Sequence, residues 1–169
     1  MKNVEPRYLI LNADTFDDRY MLKTQYGEIS AVSNTTETAI TVGGTAVQVT
    51  IFDTNGPSND TTPDHTNDHI IIQFTGDYFI SVSATVNSVT GLASKFEMSV
   101  QKNNGFVDVG ALHCDRNIAG GGGVAGVISM SGIATLTVSD TIEVWIENET
   151  NTANYIVEDI TLSLFRLDS

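Results

Sequence analysis

Gly76-Asp77-Tyr78-Phe79-Ile80-Ser81-Val82-Ser83-Ala84-Thr85-Val86 alternates without a break. Tyr78, Ile80, Val82, Ala84 and Val86 share one side, while Phe79, Ser81, Ser83 and Thr85 share the other. Successive strand side chains point to opposite faces, so a period of two with one apolar set predicts a strand with one buried face. Downstream, Phe96, Met98 and Val100 repeat the pattern, and Lys102-Asn103-Asn104-Gly105-Phe106 supplies an Asn-Gly hairpin turn. The return strand begins through Val107 and Val109, or in the alternate register through Phe106. Ile142, Val144 and Ile146 then face away from Glu143, Trp145 and Glu147. After the polar loop 148–154, a last strand alternates Ile160, Leu162 and Leu164 with Thr161, Ser163 and Phe165.

Further strands are predicted at 26–32, 46–52, 69–74 and 133–138, the last entered from a glycine-rich segment. About eight to ten short strands separated by turn signals, with no amphipathic helix after residue 25, predict an all-β sandwich or barrel. Parallel α/β folds need crossover helices and are excluded. Two segments break the pattern. Residues 1–25 lack sandwich periodicity, with a short helix predicted over 15–23, and form either a docking arm or an added element. Residues 55–68 form a long loop rich in Asn, Asp, Thr and Pro, the kind of insertion that is usually functional or mobile. The domain proper is assigned to residues 26–169.

Composition narrows the function. Eight basic residues face 21 acidic ones, a net charge of −13 in 169 residues, which argues against nucleic acid because a phosphate backbone would be repelled. Charged residues make up only 17%, below the roughly 25% usual for globular proteins, and Thr, Ser, Asn and Gly take their place. No apolar stretch reaches the ~20 residues of a membrane-spanning helix, and Met1 to Pro6 show no apolar core of a secretory signal. A single cysteine, Cys114, rules out an intrachain disulfide and reads as a small buried hydrophobe. Its neighbour His113 would point to the opposite face of a strand and could not activate it.

The order of these features is similar to the C1q/TNF-like jelly roll. Phe74-Thr75-Gly76-Asp77-Tyr78-Phe79-Ile80-Ser81-Val82 resembles that family's central glycine–x–tyrosine strand, and Phe96 to Asn103 resembles its hairpin strand. Leu136-Thr137-Val138-Ser139-Asp140-Thr141-Ile142-Glu143-Val144-Trp145 is similar to its Asp-x-apolar-x-apolar element, and residues 160–167 to its closing strand. The resemblance covers residues ~26–169. It implies an antiparallel two-sheet jelly-roll sandwich with an N-terminal arm and assembly as a homotrimer. Without a visible signal or collagen-like stalk, the chain looks more like the versions in bacteriophage particles. The resemblance therefore implies a capsid decoration or cement protein on the outer capsid surface, bound to the major capsid protein through residues 1–25. The alternative is the receptor- or carbohydrate-binding knob of a head or tail fibre, with loops 55–68 and 148–154 as its ligand surface.

No residue set is assigned to catalysis, a cofactor or a metal. Asp64-His65-Thr66-Asn67-Asp68-His69 is the one cluster of histidines with carboxylates, but its spacing matches no zinc motif. Asp60, Asp64 and Asp68 lack the glycine turn of a calcium loop. Gly120 to Gly123 lack the following Lys-Ser/Thr and helix of a phosphate loop, and are read as an inter-strand loop that needs positive φ or close backbone approach. Sequons at Asn34, Asn59 and Asn148 are expected by chance in a chain this rich in Asn and Thr. Trp145 and Tyr155 are the aromatics expected to matter beyond the core; Trp145 faces outward, to be covered either by another subunit or by the N-terminal arm. With no nucleophile elbow and no carboxylate pair in an apolar strand, the chain is not expected to be an enzyme.

Overall fold

The computed structural model describes residues 24–40, 43–105, 107–121 and 124–167. In chain order the strands are β1 (Tyr26–Ala31), β2 (Glu37–Thr38), β3 (Val47–Gln48), β4 (Thr54–Asn55), β5 (Thr61–Asp64), β6 (His69–Ile72), β7 (Gly76–Ser88), β8 (Ser94–Lys102), β9 (Val107–Ile118), β10 (Ala125–Leu136), β11 (Thr141–Asn148) and β12 (Tyr155–Arg166). They form two sheets. The first runs β10-β7-β12-β1-β4 with β2 beside β12, and the second runs β5-β6-β11-β8-β9 with β3 beside β11. Every pairing is antiparallel, and the described residues contain no helix. The expected all-β, two-sheet jelly roll is the observed fold.

The core is made of the alternating sets read from the sequence. Tyr78, Ile80, Val82 and Val86 of β7 and Leu162 and Leu164 of β12 meet Phe96, Met98, Val144 and Ile146 of the second sheet, all essentially inaccessible to water. The Tyr78 hydroxyl emerges at the edge of this core and donates to the Phe74 carbonyl at 2.8 Å, so the ring is buried with its polar tip satisfied. Gly27 lets β1 lie against β5: a Cβ there would run into the Thr61 hydroxyl. That hydroxyl instead donates to the Tyr26 carbonyl at 2.5 Å.

Several expectations are corrected in detail. The segment 55–68 is not one loop: it contains β5, paired residue for residue with β6, including Pro63 opposite Ile70. Proline is tolerated because β5 is an edge strand and needs no outward donor. The strand expected at 133–138 begins at Ala125, because Gly126, Ile128 and Met130 already alternate inward. The strand expected at 46–52 pairs regularly only at Val47–Gln48, although Val49 and Phe52 are buried and the Val49 N–H donates to the Val144 carbonyl. After the hairpin, Val109 faces the core and Val107 faces out. Of the predicted arm, residues 1–23, with the helix over 15–23, lie outside the described residues. Gln25 is buried on the sandwich, its carbonyl accepting from the Arg166 N–H.

Candidate functional site

Pairing register decides what the outer face of the first sheet presents. Ile133 lies opposite Phe79, Phe79 opposite Phe165, and Phe165 opposite Tyr26, so one apolar row crosses four strands. The row faces outward: Ile133 is 64%, Phe165 43% and Tyr26 40% exposed, with the Phe79 and Phe165 rings 5.2 Å apart. The next two rows are Ser131, Ser81, Ser163 and Glu28, then Ser129, Ser83, Thr161 and Ser30. A single charge, Glu28, stands in these three rows, at the β1 edge. These three rows carry no Lys, Asp or Arg, although Asp77 and Asp159 stand in the rows on either side; on a chain of net charge −13, so uncharged a band is what a surface buried in an assembly needs.

Beside this face, at the β9–β10 edge, a cleft of about 280 Å³ opens between Val107, Val109, Ile133, Leu136 and the polar Lys102 and Asp108. It exists because β9 carries a bulge. Ser99 pairs with His113 but Gln101 pairs with Asp108, which throws the residues between them out of register, with Gly110 at φ +57.

The end of the sandwich below the apolar row is fixed by two carboxylates. Asp140 accepts from the Thr137 N–H at 2.9 Å, the Asn103 amide at 3.0 Å and the Lys102 ammonium at 3.0 Å. Burial alone would push its carboxyl up; the donors from Thr137, Asn103 and Lys102 outweigh it and hold the group at about 2. Glu143 is fully buried and accepts from the Thr141 hydroxyl at 2.6 Å, the Asn104 N–H at 3.0 Å and the Trp145 indole at 3.1 Å. Trp145 lies on the outer side of β11, as expected, and covers the hairpin turn: a Cβ on Gly105 would sit 2.5 Å from its ring. These contacts tie the β8–β9 turn to the start of β11. Sequence reasoning placed Glu143 on the outer side of β11 and missed its role, since beside Thr141 and Trp145 on its own strand the deciding partner, the Asn104 N–H, comes from another hairpin.

The other singled-out residues have structural roles. Asp64 caps the β5–β6 turn, accepting from the Thr66 and Asn67 backbones at 3.1 and 3.2 Å, and the Asn67 side-chain donor lowers its pKa. Asp68 turns inward instead, at φ +56, where its carboxylate accepts from the Phe52 N–H at 3.0 Å and burial raises its pKa. Among the described residues, the one group of His, Cys, Asp or Glu with three ligand atoms within 4.8 Å of one another is Glu97, Glu147 and Glu149. Asp60, Asp64, His65, Asp68 and His69 are therefore not assembled as a metal set. Cys114 is half-buried against the core opposite Met98, while His113 points away toward Glu97. Gly120 approaches the Gly91 carbonyl so closely that a Cβ would lie 2.9 Å from it, and Gly121 has φ +142. Tyr155, expected to act outside the core, is instead fully buried against Phe96. Of the sequon asparagines, Asn148 is fully buried, donating to Asn151 and to the Ala153 carbonyl.

No protein-family model matches the sequence, and no curated protein matches it. Solved structures do. The chain is similar to an Eiger TNF from S. frugiperda at 12% identity and TM-score 0.59, covering 86% of this chain and 94% of that one. Murine APRIL, solved at pH 5.0, matches at 15% identity and TM-score 0.58, over 86% of this chain and 100% of that one. The globular domain of a zebrafish complement 1qA protein matches at 10% identity and TM-score 0.58, over 86% and 98%. Identities this low show a shared fold: the sandwich is a jelly roll of the C1q/TNF type.

Proposed function

We propose that this chain is a non-catalytic structural protein that works as a homotrimer and decorates the outer surface of a phage-like capsid. The observation that carries the trimer is the outer face of β10, β7, β12 and β1: an exposed apolar row, two nearly uncharged hydroxyl rows, and an apolar cleft at the adjoining edge. Row and cleft share Ile133, but the far end of the row, Phe165 and Tyr26, and the cleft are different patches on one molecule. Joining them makes a heterologous contact, which forms a ring when the rotation closes. Burying one row residue of each chain in the cleft of the next also covers the β9 and β10 edges, which would otherwise invite uncontrolled pairing.

The attachment to a shell is supported by the resemblance to phage virion jelly rolls and by the division of charge. Residues 1–23 hold four basic and four acidic side chains, so the net −13 falls entirely on residues 24–169. A neutral arm meets the major capsid protein without repulsion, while the sandwich keeps the particle exterior acidic and soluble. Three arms held together bind more tightly than one by effective concentration alone. Light scattering should give about three times the 18.2 kDa chain mass, and Phe79→Asp with Phe165→Asp should give one chain mass with the sandwich still folded. Deleting residues 1–24 should leave the trimer and abolish binding to shells of the capsid it is proposed to decorate. A wild-type monomer at micromolar concentration sinks the trimer; truncated trimers that still coat shells sink the arm.

The fibre-knob reading draws on a depression of about 410 Å³ among Ala93, Lys95, Asn117, Ile118 and Thr150, at the end of the sandwich opposite the apolar row. A few copies per particle would favour it, and hundreds would favour decoration.

A further inference from the structure

The outer face of the second sheet gathers charge from three strands. Lys95 and Glu97 stand on β8, His113 and Asp115 on β9, and Glu147 on β11, with Glu149 just beyond. Register places Glu97 directly opposite both Glu147 and Asp115. Like charges directly opposite on a sheet repel. One oxygen from each of Glu97, Glu147 and Glu149 lies within 4.8 Å of the others. The cations in this cluster are Lys95, paired to Asp115 at 2.8 Å and to Glu149, and the imidazole of His113, 3.6 Å from Glu97 when protonated. Arg116 is turned to the other side of β9, beside Gly126, and Gln48 of β3 brings no charge. Asp108 is the remaining ionisable group near the cluster, sharing a cavity of about 90 Å³ with Glu97, His113 and the bulge residue Gly110.

The mechanical setting matters as much as the charges. β9 is an edge strand, bonded on one side only, and its ladder to β8 is interrupted by the bulge. Above the bulge it is held by the stretch from His113 to Ile118, which is where the cluster lies.

We propose that this cluster is a proton-operated clasp, which holds the edge strand β9 more tightly to β8 and β11 as the medium moves from neutral to mildly acidic. At neutral pH four carboxylates face one lysine. A proton on Glu97 removes the central like-charge contacts and lets it share a hydrogen bond with Asp115. Burial pushes the Glu97 carboxyl up, and Glu147, Asp115 and Glu149 push the same way against His113. A group with a raised folded-state pKa contributes stability that is present below its unfolded value and lost as the pH rises through its folded value, so the sign is tightening on acidification. Lys95 stays charged throughout, since its two carboxylate partners raise it further, and the same lysine keeps Asp115 ionised.

The test is thermal unfolding of the full chain in EDTA at intervals from pH 7.5 down to 4.5, the ordinary value from which Glu97 is raised, with the assembled mass followed throughout. The melting temperature should rise by about 2–4 °C on acidification at constant mass. Glu97→Gln should melt higher than wild type at pH 7.5 and lose most of the rise. A melting temperature that is flat or falls all the way from pH 7.5 to 4.5, or a Glu97→Gln variant with the full response, overturns the clasp. A rise produced at pH 7.5 by millimolar calcium, removed by EDTA and absent from the pH step, also overturns it by making the cluster a cation site.

Discussion

Replacing Asp140 by Asn keeps the shape of the side chain and removes its charge. In the native protein three donors converge on that carboxylate, and its side chain is only 9% exposed, so solvent screens little of the interaction. Lowering a carboxyl from 3.8 to about 2 corresponds to roughly 2.5 kcal/mol at neutral pH. Hydrogen bonds to a charged group, worth about 1.5–3 kcal/mol, give the same scale independently. Asp140→Asn should therefore cost about 2–2.5 kcal/mol at pH 7, a drop of about 5–10 °C in melting temperature for a chain of this size.

The pH dependence is the sharper test. A depressed carboxyl contributes stability that is present above its unfolded pKa and lost as the pH falls through its folded value. The gap between wild type and Asp140→Asn should be constant from pH 7 to pH 5 and shrink to about a third by pH 2.5. Urea unfolding monitored by the single tryptophan, at fixed chain concentration because oligomer stability depends on it, measures the gap directly. A cost below ~0.5 kcal/mol, or a gap that does not change between pH 7 and pH 2.5, would refute the assignment of Asp140 as an ionised anchor.

Glu143→Ala should cost about 2–3 kcal/mol by stranding the Asn104 N–H and the Trp145 indole, and should shift the Trp145 emission as the ring loses its partner; unchanged emission would place the indole elsewhere. Gly105→Ala meets both a φ of +76 and the Trp145 ring, so a loss of at least ~1–3 kcal/mol is expected in the same urea titration. If that variant unfolds at the wild-type midpoint, Trp145 does not cover the turn.

The long strands were legible because each buries one face and writes a period of two into the chain. β7, β8, β11 and β12 therefore stood out, and so did the turn at Asn104-Gly105. β5 was hidden, because Thr61-Thr62-Pro63-Asp64 lies at an edge where partial burial imposes no apolar alternation. The first half of β10 was hidden for a different reason: its inward set includes Gly126, and its outward set of small and hydroxyl residues reads like a loop. The candidate face was half legible. Phe79, Ser81 and Ser83 were recognised as one side of a strand, but the row from Ile133 to Tyr26 joins residues more than a hundred positions apart. Only register brings them together. Buried Glu143 was legible only in part: Thr141 and Trp145 flank it on β11, but the Asn104 N–H comes from the β8–β9 turn.

The last strand occupies the middle of the first sheet, paired with β7 on one side and β1 on the other. During synthesis, then, that sheet has no centre until β12 has left the ribosome. β1 and β7 wait with their facing edges unpaired until β12 arrives, which at about 5–20 residues per second takes several seconds after β7 is made. A ribosome that stalls before residue 155 releases no smaller folded domain, only a chain with two unmatched strand edges. A check on synthesis is thus built into the order of the strands: only chains that reach β12 can close this sheet.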